Sequence, residues 1–167
     1  MNYKKLYEWA SKIQIKGRLP LNYIFRDDDG TFSAFNEDMG FNVSSLPEGI
    51  PFKEETPFRL ANEIKRYERL YDWTMYDAPH LRHIKIKECK TERVTGKTTP
   101  YVMVDNSMYS ARSVKQAIDI MGKNVHFFKG ADWLSPLLIV EDETSYGVQC
   151  LIMPIRYGRT ITKEESE

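Results

Sequence analysis

Three consecutive aspartates, Asp27, Asp28 and Asp29, form the densest group of potential metal ligands in the sequence. Hard cations such as Ca²⁺ and Mg²⁺ bind several carboxylate oxygens, and calcium-binding loops place their acidic residues at alternating positions. Consecutive residues do not converge in this way. Because Asp29 and Gly30 also separate two strand-like runs, the pattern predicts a hairpin turn and no metal site.

Histidine and cysteine offer a second possible metal site, because His80, His83 and Cys89 lie in one short stretch. A structural zinc site needs four ligands, and no fourth residue has suitable spacing. The two cysteines, Cys89 and Cys150, cannot form a disulfide framework, so we expect two free thiols. We therefore expect neither a metal nor any other cofactor.

The sequence also lacks motifs that would indicate catalysis. It contains no glycine-rich phosphate loop and no nucleophile elbow, and none of its acidic pairs has a context that would hold it in a cleft. We therefore expect a protein that acts by binding and is not an enzyme.

Basic side chains on two amphipathic segments are a stronger signal. The first segment spans residues 2–14, and the second lies between the N-cap Ser110 and the helix-ending Gly122. Lysines on an exposed helix most often only solvate it. The functional alternative is contact with DNA phosphates through counterion release, which needs no base readout. The candidate DNA-binding residues are Lys4, Lys5, Lys12, Arg112, Lys115 and Lys123.

Composition limits these possibilities. The 167 residues, 41% of them hydrophobic, suffice for one core, so we predict a single domain over residues 1–160 and a disordered tail over 161–167. Basic and acidic residues number 24 each, so DNA affinity must come from local clustering. The chain has no long apolar run and no signal-peptide core, which predicts a cytoplasmic protein without a membrane partner.

Hydrophobic periodicity predicts the order helix, strand, strand, strand in two separate units, residues 2–45 and 100–157. The second unit has an additional opening strand at 101–104, whereas the first unit has no room for one. The predicted strands that follow the helices are 21–26, 31–35, 41–44, 125–128, 137–140 and 148–153. If the two units are related by a pseudo-two-fold axis, all six candidate DNA-binding residues come to one face.

The segment between the units, residues 46–99, is predicted to be an insertion. Thr56 at the N-cap and Pro57 at the first turn predict a third helix that runs to residue 71. Alternation over residues 83–87 predicts a strand, joined by a hairpin to the strand at 101. We expect this hairpin to replace the missing opening strand of the first unit.

The stretch from Pro100 to Tyr157 resembles the C-terminal domain of the bacterial DNA sliding clamp, the β subunit of DNA polymerase III. The resemblance covers roughly a third of the chain. It rests on the helix entry Tyr109-Ser110-Ala111, the turn Phe128-Lys129-Gly130, the strand Pro136-Leu137-Leu138-Ile139 and the terminal Ile152-Met153-Pro154-Ile155-Arg156.

The resemblance implies an α+β, DNA-clamp-like domain with two pseudo-symmetric helix-plus-three-strand units, antiparallel sheets and one inserted helix. It implies a non-catalytic protein that tethers replication or repair proteins to double-stranded DNA. The bacterial ring comprises six such domains, so a single domain would encircle DNA only as a homo-oligomer. The alternative is a monomeric interaction module that has kept the fold and lost the ring, with the inserted helix blocking an edge strand.

The same resemblance implies a second role, for the segment 151–155 near the end of the chain. In clamps, the corresponding segment belongs to a hydrophobic groove that binds short peptide motifs of partner proteins. A flexible thioether beside a proline-fixed backbone suits such a groove. The other interpretation is a core edge strand. The candidate groove residues are Leu151, Met153, Pro154 and Ile155.

Overall fold

The computed structural model describes residues 1–13, 22–54, 66–67, 70–141 and 149–156. The tail predicted at 161–167 and most of the predicted third helix lie outside these ranges, although Arg66, Tyr67 and Leu70 are helical. The helices are α1 (Tyr3–Ser11), α2 (Pro79–Arg82) and α3 (Ala111–Met121). The strands are β1 (Phe25–Arg26), β2 (Phe32–Phe35), β3 (Met39–Val43), β4 (Thr74–Tyr76), β5 (Lys90–Val94), β6 (Lys97–Val104), β7 (Ser107–Ser110), β8 (Val125–Lys129), β9 (Leu137–Glu141) and β10 (Gln149–Ile152).

Two antiparallel sheets organise these strands. The larger sheet has the order β1-β2-β3-β10-β9-β8-β4, and the smaller one has the order β5-β6-β7. The chain therefore has the predicted α+β class, and both predicted runs of a helix followed by three strands are present, as α1-β1-β2-β3 and α3-β8-β9-β10. Strands β3 and β10, the last of each run, lie side by side at the centre.

Side-chain alternation along the central strands separates two apolar clusters. Cys150 and Ile152 belong to the main core, whereas Leu151 between them belongs to a smaller cluster. Successive residues of a strand point to opposite faces of its sheet, so the clusters lie on opposite faces. Leu6 and Ala10 of α1 share the main core with the predicted stripe of α3, which is Val114, Ala117, Ile118 and Met121. Both helices therefore cover the same face.

Helices α1 and α3 lie next to each other and run in opposite directions. The Asn2 backbone N–H, at the start of α1, donates to the Ile120 carbonyl near the end of α3 at 2.7 Å. Lys12, just after α1, lines one cavity with Gln116, nearer the start of α3. Side-chain caps fix both starts, because Asn2 Oδ1 accepts from Lys5 N at 3.0 Å and Ser110 Oγ accepts from Ser113 N at 3.3 Å.

The smaller sheet corrects one prediction. Residues 83–85 have no regular structure and Ile86–Glu88 is a 3₁₀ turn, so the strand predicted at 83–87 is wrong. The alternation is real, because Ile84 and Ile86 are half-buried while their neighbours are exposed. Alternation reports only which side chains face the core, however, and a strand also needs a partner for its backbone. The hairpin that follows pairs within the smaller sheet and does not replace an opening strand in the larger one.

The terminal segment joins the two sheets. The Met153 N–H donates to the Asp38 carbonyl, and the Ile155 N–H donates to the Met108 carbonyl of β7, each at 2.8 Å. A further link comes from Tyr109 of β7, whose hydroxyl donates to the Ser135 carbonyl at 2.6 Å. Within the described ranges, none of the helices has the length and apolar character needed to traverse a lipid bilayer.

We predict that Tyr109→Phe lowers the free energy of unfolding by about 1 kcal/mol at pH 8, because the Ser135 carbonyl loses its donor. Burial raises the pKa of the Tyr109 phenol far above its usual value, so the folded state holds the proton. The stability due to this proton is complete below about pH 10 and is lost as the pH rises further. The difference between wild type and variant in urea denaturation should therefore shrink between pH 8 and pH 11.

Tyr7→Phe is the matched control, because Tyr7 is exposed on α1 and loses the same atom. A Tyr109→Phe protein that matches wild type at both pH values would contradict the structural role assigned to this hydroxyl.

Candidate nucleic-acid interface

The six candidate DNA-binding residues are all exposed, and they lie on or just beyond the two neighbouring helices. The structure brings Lys5, Lys115 and Lys123 together around one cavity, and it places Lys12 beside Gln116 at another. Lys4 and Arg112 are exposed on α1 and α3. Side chains from the two repeated runs therefore do contribute to one surface.

The first cavity, of about 500 Å³, lies between α1, α2 and α3 and is called the basic cleft below. Five of its lining side chains are cationic and one is acidic. The charged side chains are Lys5, Arg82, Lys85, Lys115, Asp119 and Lys123, and His83 is also present. Arg82, His83 and Lys85 are not among the DNA-binding residues predicted from sequence, because local patterns do not show that the segment carrying them packs beside α3.

The ion pairs of the cleft leave much of its positive charge available. Arg82 Nη1 lies 3.5 Å from Asp77, Lys115 Nζ lies 4.0 Å from Asp119, and Lys85 Nζ lies 3.9 Å from Glu88. In the two lysine pairs all four side chains are at least 48% exposed, and such surface pairs contribute little energy. Lys123 Nζ instead lies 3.5 Å from His83 Nδ1. An incoming anion would therefore compete with weak, solvated pairs.

Arg82 has a structural role in the wall of the cleft. Its Nη2 donates to the Val125 carbonyl at 2.8 Å and its Nε donates to the Lys123 carbonyl at 3.2 Å. The guanidinium also lies 5.1 Å from the centroid of the Phe127 ring. These contacts hold α2 against the end of α3 and the start of β8, so Arg82 shapes the cleft.

The acidic stretch forms the predicted hairpin turn. The Gly30 N–H donates to the Asp27 carbonyl at 2.9 Å, and Gly30 has a φ of 85°, which glycine adopts without strain. The buried Asp27 carboxylate accepts from Asp28 N at 2.9 Å and from Ser33 Oγ at 3.3 Å. Its oxygens therefore serve the turn itself.

The three residues considered for zinc bind three different partners. His80 Nε2 lies 3.3 Å from the Met103 carbonyl, His83 contacts Lys123, and Cys89 Sγ donates to the Lys85 carbonyl at 3.4 Å. Among the residues that the structure describes, no three His, Cys, Asp or Glu side chains are grouped closely enough to hold a metal ion.

The four candidate groove residues are divided between the core and a half-exposed surface. Leu151 and Pro154 are buried, whereas Met153 and Ile155 are half-buried. Leu151 and Met153 belong to the smaller apolar cluster, on the sheet face away from α1 and α3. Phe35, Phe128, Leu138 and Val140 complete the strand side of this cluster.

Aromatic residues from the middle of the insertion cover this face. Tyr67 and Trp73 pack against the cluster that contains Leu151 and Met153. Tyr71 lies between them, with its ring centroid 6.5 Å from that of Tyr67 and 5.8 Å from that of Trp73. We call Tyr67, Tyr71 and Trp73 the aromatic cover. The candidate groove is therefore partly occupied by the chain itself.

Gly130 makes this close packing possible. A Cβ atom added to Gly130 would lie 2.6 Å from Cδ1 of Tyr71 and 2.8 Å from its Cβ and Cγ. Lys129, the preceding residue, is fully buried, and its Nζ donates to Asn106 Oδ1 at 2.8 Å and to the Gly130 and Asp132 carbonyls at 2.7 and 3.1 Å. Burial lowers the pKa of this amine. Lys129 at the end of β8 therefore anchors the loop that follows, and Gly130 leaves room for the aromatic cover.

Comparison of the chain with family models, curated proteins and solved structures gave no match. The resemblance to the bacterial sliding clamp therefore rests on the sequence features named above.

We predict that Gly130→Ala destabilises the protein by about 1–3 kcal/mol, because the new methyl group overlaps Tyr71. Hydrogen exchange of the backbone amides at 70–76 should accelerate as the aromatic cover moves away. Urea denaturation and exchange measured by mass spectrometry check the two effects.

Tyr71→Gly combined with Gly130→Ala provides the internal control, because it removes all three overlapping atoms. In the resulting double-mutant cycle, Gly130→Ala should cost less in the Tyr71→Gly background than in wild type. Equal costs in both backgrounds would show that Tyr71 is not the cause.

Proposed function

We propose that this chain is a non-catalytic, clamp-like protein that contacts the phosphate backbone of double-stranded DNA without reading its sequence and tethers replication or repair proteins to it. The observation that carries the proposal is the placement of α1 and α3 side by side on one sheet face, with exposed lysines from both helices around shared cavities.

The order of the larger sheet supports the clamp-like assignment. From the centre outward, each side repeats the same sequence of strands, β3-β2-β1 on one side and β10-β9-β8 on the other. An axis normal to the sheet between β3 and β10 would exchange these strands and also exchange two antiparallel helices on one face. The side-by-side, antiparallel placement of α1 and α3 supports the proposal of such an axis, and β4 is an addition on one side only.

Charge placement supports backbone contact over base readout. The chain has no net charge, so its attraction to DNA must be confined to a region where cations outnumber anions. The surface around α1 and α3 is such a region. Lysines that neutralise phosphates release condensed counterions, which gives affinity without sequence preference.

A second candidate function is a monomeric interaction module that binds partner proteins and does not encircle DNA. The edges of the larger sheet favour a monomer. Strand β4, from the middle of the insertion, pairs with β8, and it has only three residues. At the other edge, β1 has two residues, and its backbone contacts Lys53 through hydrogen bonds from Arg26 N to Lys53 O and from Lys53 N to Ile24 O. Short, covered edges disfavour pairing between molecules.

We predict that the protein binds duplex DNA at low salt with similar affinity for unrelated sequences, and that log K falls linearly with log salt concentration. The variant Lys4→Gln, Lys12→Gln, Arg112→Gln should bind more weakly, and its slope should be less steep by about 0.9 for each phosphate contact removed. Fluorescence anisotropy with labelled duplexes over a salt series measures both quantities.

The matched control is Lys90→Gln, Arg93→Gln, Lys97→Gln, which removes three exposed charges from the smaller sheet. The control should retain wild-type affinity. Absence of binding at low salt, or equal losses in both variants, would exclude the assigned DNA-binding face.

We also predict that the protein is a monomer in solution, measured by sedimentation velocity over a range of protein concentrations. The variant Thr74→Pro, Met75→Pro removes N–H donors from β4 and should increase self-association, because the edge of β8 becomes available. A defined closed oligomer of the wild-type chain would instead support a ring that surrounds DNA.

A further inference from the structure

The walls of the basic cleft are held in place before any ligand binds. The end of α3 is tied to the start of α1 through the hydrogen bond from Asn2 to Ile120, and to α2 through those from Arg82 to Lys123 and Val125. Binding to a preorganised cavity avoids the cost of ordering its walls. The cleft is therefore suited to bind a small group, in addition to lying on a charged surface.

Charge around the cleft is strongly unbalanced. Five cationic side chains line it against the single carboxylate of Asp119. In the part of the chain that the structure describes, the ion pairs of these cations join Arg82 to Asp77, Lys85 to Glu88 and Lys115 to Asp119, and they include neither Lys5 nor Lys123. Lys5 lies on α1 and Lys123 lies just beyond α3, so a ligand between their ammonium groups would be contacted from two sides.

Three apolar side chains also line the cleft. Leu81 and Ile118 are buried and Ile84 is half-buried. A cavity of about 500 Å³ lies within the range of sites for small ligands.

We propose that the basic cleft is a binding site for a phosphomonoester group, such as the terminal phosphate of a nucleic-acid strand or the phosphate of a free nucleotide. A phosphomonoester carries about −1.5 to −2 charges at neutral pH and offers three acceptor oxygens. Lys5, Lys123 and His83 supply donors from three elements. A phosphodiester within a duplex carries one charge and lies along a convex rod, which matches the open helix surface better than a concave cleft.

The test compares ligands that differ only in the monoester. Fluorescence anisotropy is measured with one blunt duplex bearing either a 5′-phosphate or a 5′-hydroxyl group, and NMR titration is performed with AMP and adenosine. We expect the phosphorylated member of at least one pair to bind at least about tenfold tighter, as one new charge-assisted hydrogen bond would give. Equal binding within both pairs would overturn the proposal.

Substitutions locate the effect. Lys5→Gln, Lys123→Gln should abolish the preference for the phosphorylated ligand, whereas Lys90→Gln, Lys97→Gln on the smaller sheet should preserve it. Thermal denaturation establishes that each variant is folded. If the double variant unfolds, Lys123→Gln alone is used, because Lys123 is exposed beyond the end of α3 and the loss of its side-chain charge leaves the core intact. A preference that survives removal of the cleft lysines would place the site elsewhere and overturn the proposal.

The same data separate this inference from the DNA-binding proposal and identify the source of the phosphate. Equal binding of both duplexes, with no preference for AMP over adenosine, would support the DNA-binding face and reject the cleft site. Preferential binding of AMP over adenosine, without binding of either duplex, would support a cleft site for free nucleotides. It would also reject the DNA-binding face. A preference for the phosphorylated duplex alone assigns the cleft to strand ends.

Discussion

Antiparallel pairing of β3 with β10 is the interaction on which the rest of the structure depends. It places Phe41 opposite Cys150 and Met39 opposite Ile152, and so joins the beginning of the chain to its end at the centre of the larger sheet. These four side chains are buried in the main core beneath the helices. A shift of β10 by one residue would turn Cys150 and Ile152 to the opposite face and Leu151 into the core. Burial on both faces therefore specifies the pairing strongly.

The two faces created by this pairing have different characters. On one face, α1 and α3 bury their apolar stripes and present lysines to solvent. On the other face, the residue between two core positions, Leu151, meets Met153 and the aromatic cover. A charged surface and an apolar, partly covered surface thus lie on opposite sides of the larger sheet. Proposed contacts with DNA and with partner peptides would therefore not compete for the same side of the molecule.

Much of the larger sheet could be predicted from sequence, because the residue patterns that indicate its strands and turns are local. The stripe of α3 lies between Ser110 and Gly122, and the turn at Gly30 separates two apolar runs, so each element carries its own boundaries. The strand β7 was not predicted, although Asp105 and Asn106 between two strands are a hairpin signal, and Asp105 has a φ of 52°. Strand β4 has three residues and offers almost no pattern. The basic cleft depends on which non-periodic segment packs beside α3, and that information is tertiary.

The short edge strands of the larger sheet, β1 and β4, affect how a clamp-like protein would hold DNA. A ring retains a duplex topologically, so its residence time is independent of contact strength. A monomer retains DNA only through its contacts, and the contacts proposed for this chain are made mainly by lysines, whose affinity for DNA would fall steeply with salt. A monomeric tether would therefore gain from a second point of attachment, since two linked sites bind more tightly than either alone. The basic cleft adjoins the helix surface and shares Lys5, Lys115 and Lys123 with it, so a strand end bound in the cleft would provide that second attachment beside the proposed duplex contacts of Lys4, Lys12 and Arg112.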